Sequence, residues 1–383
     1  MTTATPPLPP RLSAILAAYY LVCLGILYGS LFPFHFRVDW PARGFAGFLA
    51  SWRDVNSISD ILGNVALFIP YGYLACLLAL RWAGALRLAV AGVALALLCQ
   101  LAQLFTPLRD PSIADLYLNL LGGALGWCLA RLLPLGSGAA PGATAGAHPL
   151  PLLLCGCWLA SLLLPFLPAV DMHAWREALA PLLYPRRWSW PAWLVATASW
   201  LVFYHLLACR AQLRLRLPVV LGGVTLLLGL KVLILQNRLT PEAVLAAVAA
   251  IPLWYRVGRR LRGRTLALLL FAAFCIDGLA PLSARAAPRD FGWLPFVGYL
   301  QGSMLVNAVA LCRKLFVFGA LALLLLPALE RPQRGALLLA ACLALLEVAQ
   351  RYIGHGTPAL TDPLLFLVLA WLLTLPSRGA LHG

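Results

Sequence analysis

Apolar runs about as long as a bilayer's hydrocarbon core is thick, roughly 20 residues as a helix, recur along the whole chain. Inside lipid no water satisfies backbone N–H and C=O groups, so an unbroken apolar run of that length must fold as a helix. Twelve segments can be drawn, near 12–32, 58–80, 86–105, 113–133, 150–167, 191–209, 217–235, 241–255, 265–282, 305–329, 336–352 and 360–375. The expectation is an all-α, polytopic transmembrane helix bundle of about 12 segments. Composition agrees: 62% of residues are hydrophobic and 11% charged, against roughly 25% charged in soluble chains. The eighth segment is short and contains Pro252, which leaves a re-entrant or tilted course open.

The net charge of +16 is spread over many loops. No nucleic-acid-binding motif gathers it, so it speaks to orientation and to anionic headgroups, and nucleic acid is not an expected partner. The N-terminus, even-numbered loops and C-terminus hold 15 Lys and Arg, the odd-numbered loops 11. The densest clusters are Arg210, Arg214 and Arg216, then RVGRRLRGR at 256–264. These loops and both termini are therefore expected in the cytoplasm. Residues 1–10 lack a basic n-region, and the first run continues without a small-residue cleavage pattern, so no cleavable signal peptide is expected.

A Gly-, Ala- and Pro-rich stretch, 134–149, reads as a cytoplasmic linker. It divides an N-terminal unit, 1–133, from central helices, 150–282, and a C-terminal unit, 283–383. Between the fifth and sixth segments, DMHAWREALAPLLYPRRWSW suits a short helix at the outer interface. All ten cysteines fall in apolar segments and read as small buried hydrophobes, without the layout of a zinc site or disulfide framework. Nothing in the chain calls for a cofactor.

The polar residues concentrate in QLAQLFTPLRDPSIADLYLN, residues 100–119. Gln100 and Gln103 share one helix face, Asp115 and Asn119 another, and Asp60 and Asn64 form a third such pair. Polar groups at the edge of a hydrocarbon layer face one another or a water-filled cavity. The pairs therefore converge on one pocket between the second, third and fourth segments, on the extracytoplasmic side. Arg109 can grip a phosphate or carboxylate through two parallel hydrogen bonds. A second arrangement stays open, in which Asp60 and Asp115 hold Arg109 in an ion-pair network that only locks helix ends.

The pattern recurs near the C-terminus. Leu31-Phe-Pro-Phe34, Gln100-x-x-Gln103 and Asp115 are matched by Trp293-Leu-Pro-Phe296, Glu347-x-x-Gln350 and Asp362. Phe68 to Gln103 is 35 residues, Phe316 to Gln350 is 34. Common order and spacing point to a duplication of segments two to four as ten to twelve. The offset of eight is even, so the two copies run parallel in the membrane.

FPF at 32–34, DILGNVALFIPYG at 60–72 and QLAQLFTPLRDPSIADLYLNLLGG at 100–123 together resemble the VanZ-like family, whose name comes from a teicoplanin-resistance protein. Asp60, Asn64, Gln103, Arg109, Asp115 and Asn119 sit where that pattern places them. In the second copy Glu347 replaces Gln100, Phe366 replaces Asn119, and Cys312 stands near the place of Asn64. Arg109 has no positional counterpart there; Arg351 is nearby, and Arg313 and Lys314 supply charge from the neighbouring helix. The resemblance implies a multi-pass protein of the bacterial inner membrane, and no settled reaction.

The reading that follows is a membrane protein with an extracytoplasmic polar site, Asp60, Asn64, Gln100, Gln103, Arg109, Asp115 and Asn119. A second set comprises Arg313, Lys314, Glu347, Gln350 and Asp362. Its expected partners are membrane lipids, a lipid-linked envelope precursor or a glycopeptide. The setting would be envelope maintenance or antibiotic resistance. The alternatives are a secondary transporter or flippase, for which only Lys231, Asp277 and Arg313–Lys314 suggest a path, and an intramembrane enzyme. The enzyme has less support, since the chain shows no Ser-His-Asp set, HExxH or phosphate-cradling Gly loop. Lys231, one turn from a segment end, reads as snorkelling, and His205 as hydrogen-bonded in the bundle.

Overall fold

A computed structural model describes residues 10–37, 44–53, 58–79, 82–106, 111–132, 149–184, 188–354 and 356–378. These residues form helices and connecting turns, with three isolated β-bridges and no strand among them. They divide into two compact units, one within residues 1–137 and 374–383, the other within 138–373. The linker at 134–149 falls almost wholly outside the described residues.

Unit 1 contains α1 (Pro10–Leu31), α2 (Gly44–Ala50), α3 (Ile58–Leu78), α4 (Trp82–Gln103) and α5 (Ile113–Leu132). Unit 2 contains α6 (Pro149–Leu163), α7 (Met172–Leu183), α8 (Trp190–His205), α9 (Leu217–Leu233) and α10 (Pro241–Arg256). It continues through α11 (Gly263–Leu279), α12 (Val297–Leu300), α13 (Met304–Leu325), α14 (Pro332–Gln350) and the start of α15 (Thr361–Arg378). Each of the twelve apolar segments lies on one of these helices. Among the described residues, six stretches are long and apolar enough to cross a membrane: Leu12–Leu31, Ala83–Gln103, Ile113–Leu132, Trp190–Arg210, Leu305–Ala328 and Pro332–Gln350. They mark the chain as a membrane protein.

Local chemistry explains where helices begin and end. Asp171, Ser189, Thr240 and Ser303 each turn a side-chain oxygen onto a free N–H at the start of α7, α8, α10 and α13. The fifth segment stops at Leu163, short of the expected 167, because Pro165 cannot continue the ladder. The eighth is one continuous helix despite Pro252, with Ala246, Ala247, Ala250 and Trp254 buried. The Trp-rich stretch after segment five does form a short helix, α7.

Unit 1 has a small core around Ile26, Phe68, Tyr71, Ala96 and Cys99. Tyr19 donates to the Tyr71 hydroxyl (3.1 Å), and Tyr71 donates to the Leu88 carbonyl (2.7 Å), tying α1, α3 and α4. The α3–α5 contact is built from glycine. A Cβ at Gly122 would stand 2.1 Å from the Val65 carbonyl oxygen, and one at Gly126 2.0 Å from that of Ile69. One at Gly72 would stand 1.8 Å from the Gly123 oxygen. Backbones meet here as small residues allow, the device that replaces the hydrophobic effect between helices in lipid.

Unit 2 has a larger core in which Trp158, Trp200, Phe203 and Phe316 pack ring on ring. Aromatic pairs at such separations add stability beyond the area they bury. All ten cysteines are free thiols.

Candidate functional site

In unit 1 the end of α4 meets the start of α5. Ser112 caps α5: its Oγ accepts from the Asp115 N–H at 3.0 Å. The Ser112 N–H itself donates to Gln100 Oε1 (3.1 Å), so Gln100, 2% exposed, clasps the turn from within. Ser51 Oγ accepts from the Ile113 N–H (3.0 Å) and donates to the Phe48 carbonyl (2.5 Å), which fastens α2 to the same corner. From α3, Asn64 Nδ2 donates to Asp115 Oδ1 at 2.6 Å, a short bond because its acceptor is a carboxylate.

Three of the residues singled out in sequence, Asn64, Gln100 and Asp115, thus form this junction, though the set does not close as one circle. Gln103 turns away from its neighbour Gln100 and donates to the Ser30 carbonyl at 2.7 Å, holding α4 to α1. Asn119, one turn beyond Asp115, is 2% exposed, and no donor reaches its Oδ1. Arg109 lies outside the described residues. Asp60 lies on α3, and its side chain is outside them too.

Asn119 lines a cavity of about 410 Å³ between α3, α4 and α5. The rest of its wall is mostly apolar or glycine, including Phe68, Leu88, Val93, Gly123 and Trp127, with Tyr71, whose hydroxyl is bonded to the Leu88 carbonyl. Gly92 and Gly123 supply no side chain to fill it. At Gly123 an added Cβ would meet nothing within 4 Å. The sequence predicts one pocket between these three helices, lined by the polar pairs; among the described residues of those pairs only Asn119 lines this cavity, whose other walls look like any packed helix face.

Unit 2 has two hydrogen bonds comparable with those of the junction, one of them at the same spacing. Gln100 takes the N–H of the residue twelve positions on, and Glu347 takes the Ala359 N–H, also twelve on, at 2.8 Å. Asp115 takes a bond from Asn64 on α3, and Asp362 takes one from Lys314 Nζ on α13 at 2.5 Å. The donor to Asp362 is thus Lys314, while Cys312 makes no such bond among those described. The offset that relates Gln100 to Glu347 leads from Asn64 to Leu311, and Lys314 lies about one turn further on the same face. Its Nζ is also 5.6 Å from the Tyr299 ring centre. Gln350 is buried and fills the space left by Gly278 and Gly356.

Arg313 does not join this set. One residue from Lys314, it leaves α13 about 100° round the helix. Its Nη2 donates to Asp277 Oδ2 on α11 at 2.8 Å. His205 also departs from expectation: its Nδ1 is buried without a hydrogen-bond partner, and the ring stands edge-on to Trp254.

Residues 17–134, which hold α1 to α5 but for the first two turns of α1, match the family model described as VanZ/LLP1. No curated protein sequence matches the chain, and no solved structure does.

Proposed function

We propose that this membrane protein binds an anionic amphiphile in unit 1, with the tail along the α3–α4–α5 groove and the headgroup at the polar junction. The junction faces the extracytoplasmic side of a bacterial inner membrane, by the arginine distribution, with both termini inside. The setting is envelope maintenance or glycopeptide resistance, as the VanZ/LLP1 match over this unit supports. The observation that carries the reading is Asn119 Oδ1, an acceptor without a donor in the wall of a mostly apolar cavity. A buried polar group left unpaired costs roughly 1–3 kcal/mol, which a ligand hydroxyl or N–H would offset. Asn64–Asp115 and Gln100–Ser112 fix the turn at one end of the groove, and Arg109 in that turn is the expected counter-charge.

On this reading the α13–α15 corner is a parallel copy of the α3–α5 corner, and the chain crosses the membrane twelve times. The copy has replaced the amide of Asn64 by a lysine. Its two carboxylates are taken up by Lys314 and by the Ala359 N–H, which makes this corner a structural lock and not a second site of the unit 1 kind.

The test uses the full chain in phosphatidylcholine nanodiscs, titrated with dioleoylphosphatidylglycerol, undecaprenyl phosphate or teicoplanin. Gly123→Leu fills the groove and Asn119→Leu removes the acceptor. Each should weaken one of these probes about tenfold while the melting temperature moves by no more than about 2 °C. Wild-type affinity of both variants for all three probes would sink the proposal.

A further inference from the structure

Unit 2 holds a second cavity, about 300 Å³, away from the Lys314 lock. It lies between α6, α8, α9, α10, α11 and α13, and three charged side chains line it: Lys231 from α9, Asp277 from α11 and Arg313 from α13. The apolar part of its wall includes Trp158, Trp200 and Leu227. Asp277 and Arg313 pair at 2.8 Å. Among the described residues no hydrogen bond or ion pair reaches Lys231. One carboxylate thus faces two cations, and the lining carries a net charge of +1.

A cation among apolar helix faces is held there by a counter-ion or by function. Asp277 is already engaged by the planar fork of an arginine, the stronger competitor for a carboxylate. The Ser161 and Ser199 hydroxyls, which also line the cavity, donate to the backbone carbonyls of Trp158 and Val195. They leave Lys231 as the donor free to meet a ligand. Arg313 keeps 44% of its side chain accessible and Asp277 26%, so the charged side of the cavity is open to a ligand from outside.

We propose that this cavity is a binding site for one negative charge, a carboxylate or phosphate group, with Lys231 as its counter-ion and the Asp277–Arg313 pair setting the net charge. Trp158, Trp200 and Leu227 favour an anion with an apolar part beside it. The site is separate from the groove of unit 1 and does not depend on it.

Charge arithmetic makes the proposal testable with variants that keep side-chain size. Lys231→Met brings the lining to zero, Asp277→Asn raises it to +2, and the double variant returns it to +1 by releasing Arg313. Oleate, dioleoylphosphatidylglycerol and inorganic phosphate are titrated into the full chain in neutral detergent, and bound anion is counted by native mass spectrometry. Binding should weaken about tenfold in Lys231→Met, strengthen in Asp277→Asn, and recover in Lys231→Arg and in the double variant. Oleate or phosphatidylglycerol binding without phosphate binding identifies a lipid-borne group; phosphate binding alone identifies a free anion. Binding that ignores this series in all three arms overturns the site. Because Asp277→Asn is expected to gain affinity, misfolding cannot imitate the result. Gly123→Leu, which tests unit 1, should leave this series unchanged.

Discussion

At the scale of single residues, the glycines of α5 divide into two kinds. Gly122 and Gly126 press on the carbonyls of Val65 and Ile69, where the obstacle is backbone and cannot step aside. Gly122→Ala or Gly126→Ala should cost about 1–3 kcal/mol through overpacking, seen as a drop of several degrees in a detergent thermal melt. Gly123→Ala meets open space. It should leave the melt unchanged or raise it, since alanine favours a helix by about 1 kcal/mol over glycine. Equal losses at all three positions would contradict the described α3–α5 contact. The sequence shows Gly122, Gly123 and Gly126 close together on one helix, a spacing that permits close helix approach. Which of two adjacent glycines faces the seam and which the cavity is not legible there, because helix phase is set by the partner.

At the scale of elements, two corners hold helices together through polar side chains, and each can be broken selectively. Lys314→Met would leave Asp362, 4% exposed, without its cation. Removing one partner of a buried pair costs about 3–5 kcal/mol. The double variant Lys314→Met with Asp362→Leu should recover most of that, which a double-mutant cycle on melting temperatures measures; no recovery would mean the pair is not the lock. At the other corner Ser112→Ala removes a helix cap, worth about 1 kcal/mol. The same cycle run on Asn64→Leu and Asp115→Leu should show a coupling energy of smaller size. The sequence showed both corners, since acids and amides near helix ends recur at fixed intervals. Of the two basic residues that the sequence offered on α13, spacing did not say which one meets Asp362; Lys314 makes the contact and Arg313 turns to Asp277. Gln100 and Gln103 also share a face and still serve different partners, α5 and α1.

For the whole molecule, apolar length and charge patterning foretold helices at every one of the twelve segments, since in lipid there is hardly another way to satisfy the backbone. Lys231, Asp277 and Arg313 stood out in the sequence only as a sparse path for a transporter, and spacing could not foretell that they line one cavity. Those three come from helices far apart in sequence, and no local pattern marks their meeting. The topology carries its own prediction. Single cysteines introduced at residues 214 and 262 of a cysteine-free variant should be labelled only from the cytoplasmic side, and those at 109 and 354 only from outside. Labelling of position 109 from the cytoplasm would invert the orientation and move the polar junction to the other face.

The glycine seam of α5 also bears on how such a protein can change over generations. One side of the helix has no side chains to vary, so its register against α3 is inherited as a fixed axle. Gly123, Ala124 and Cys128 instead border the groove, and at Gly123 an added Cβ meets open space. A library randomised at those three positions should keep most of its members folded, while one randomised at Gly122 and Gly126 should lose nearly all of them. Sorting both by surface expression would reveal the difference, and the surviving groove variants are where a lineage would find its way to a new ligand.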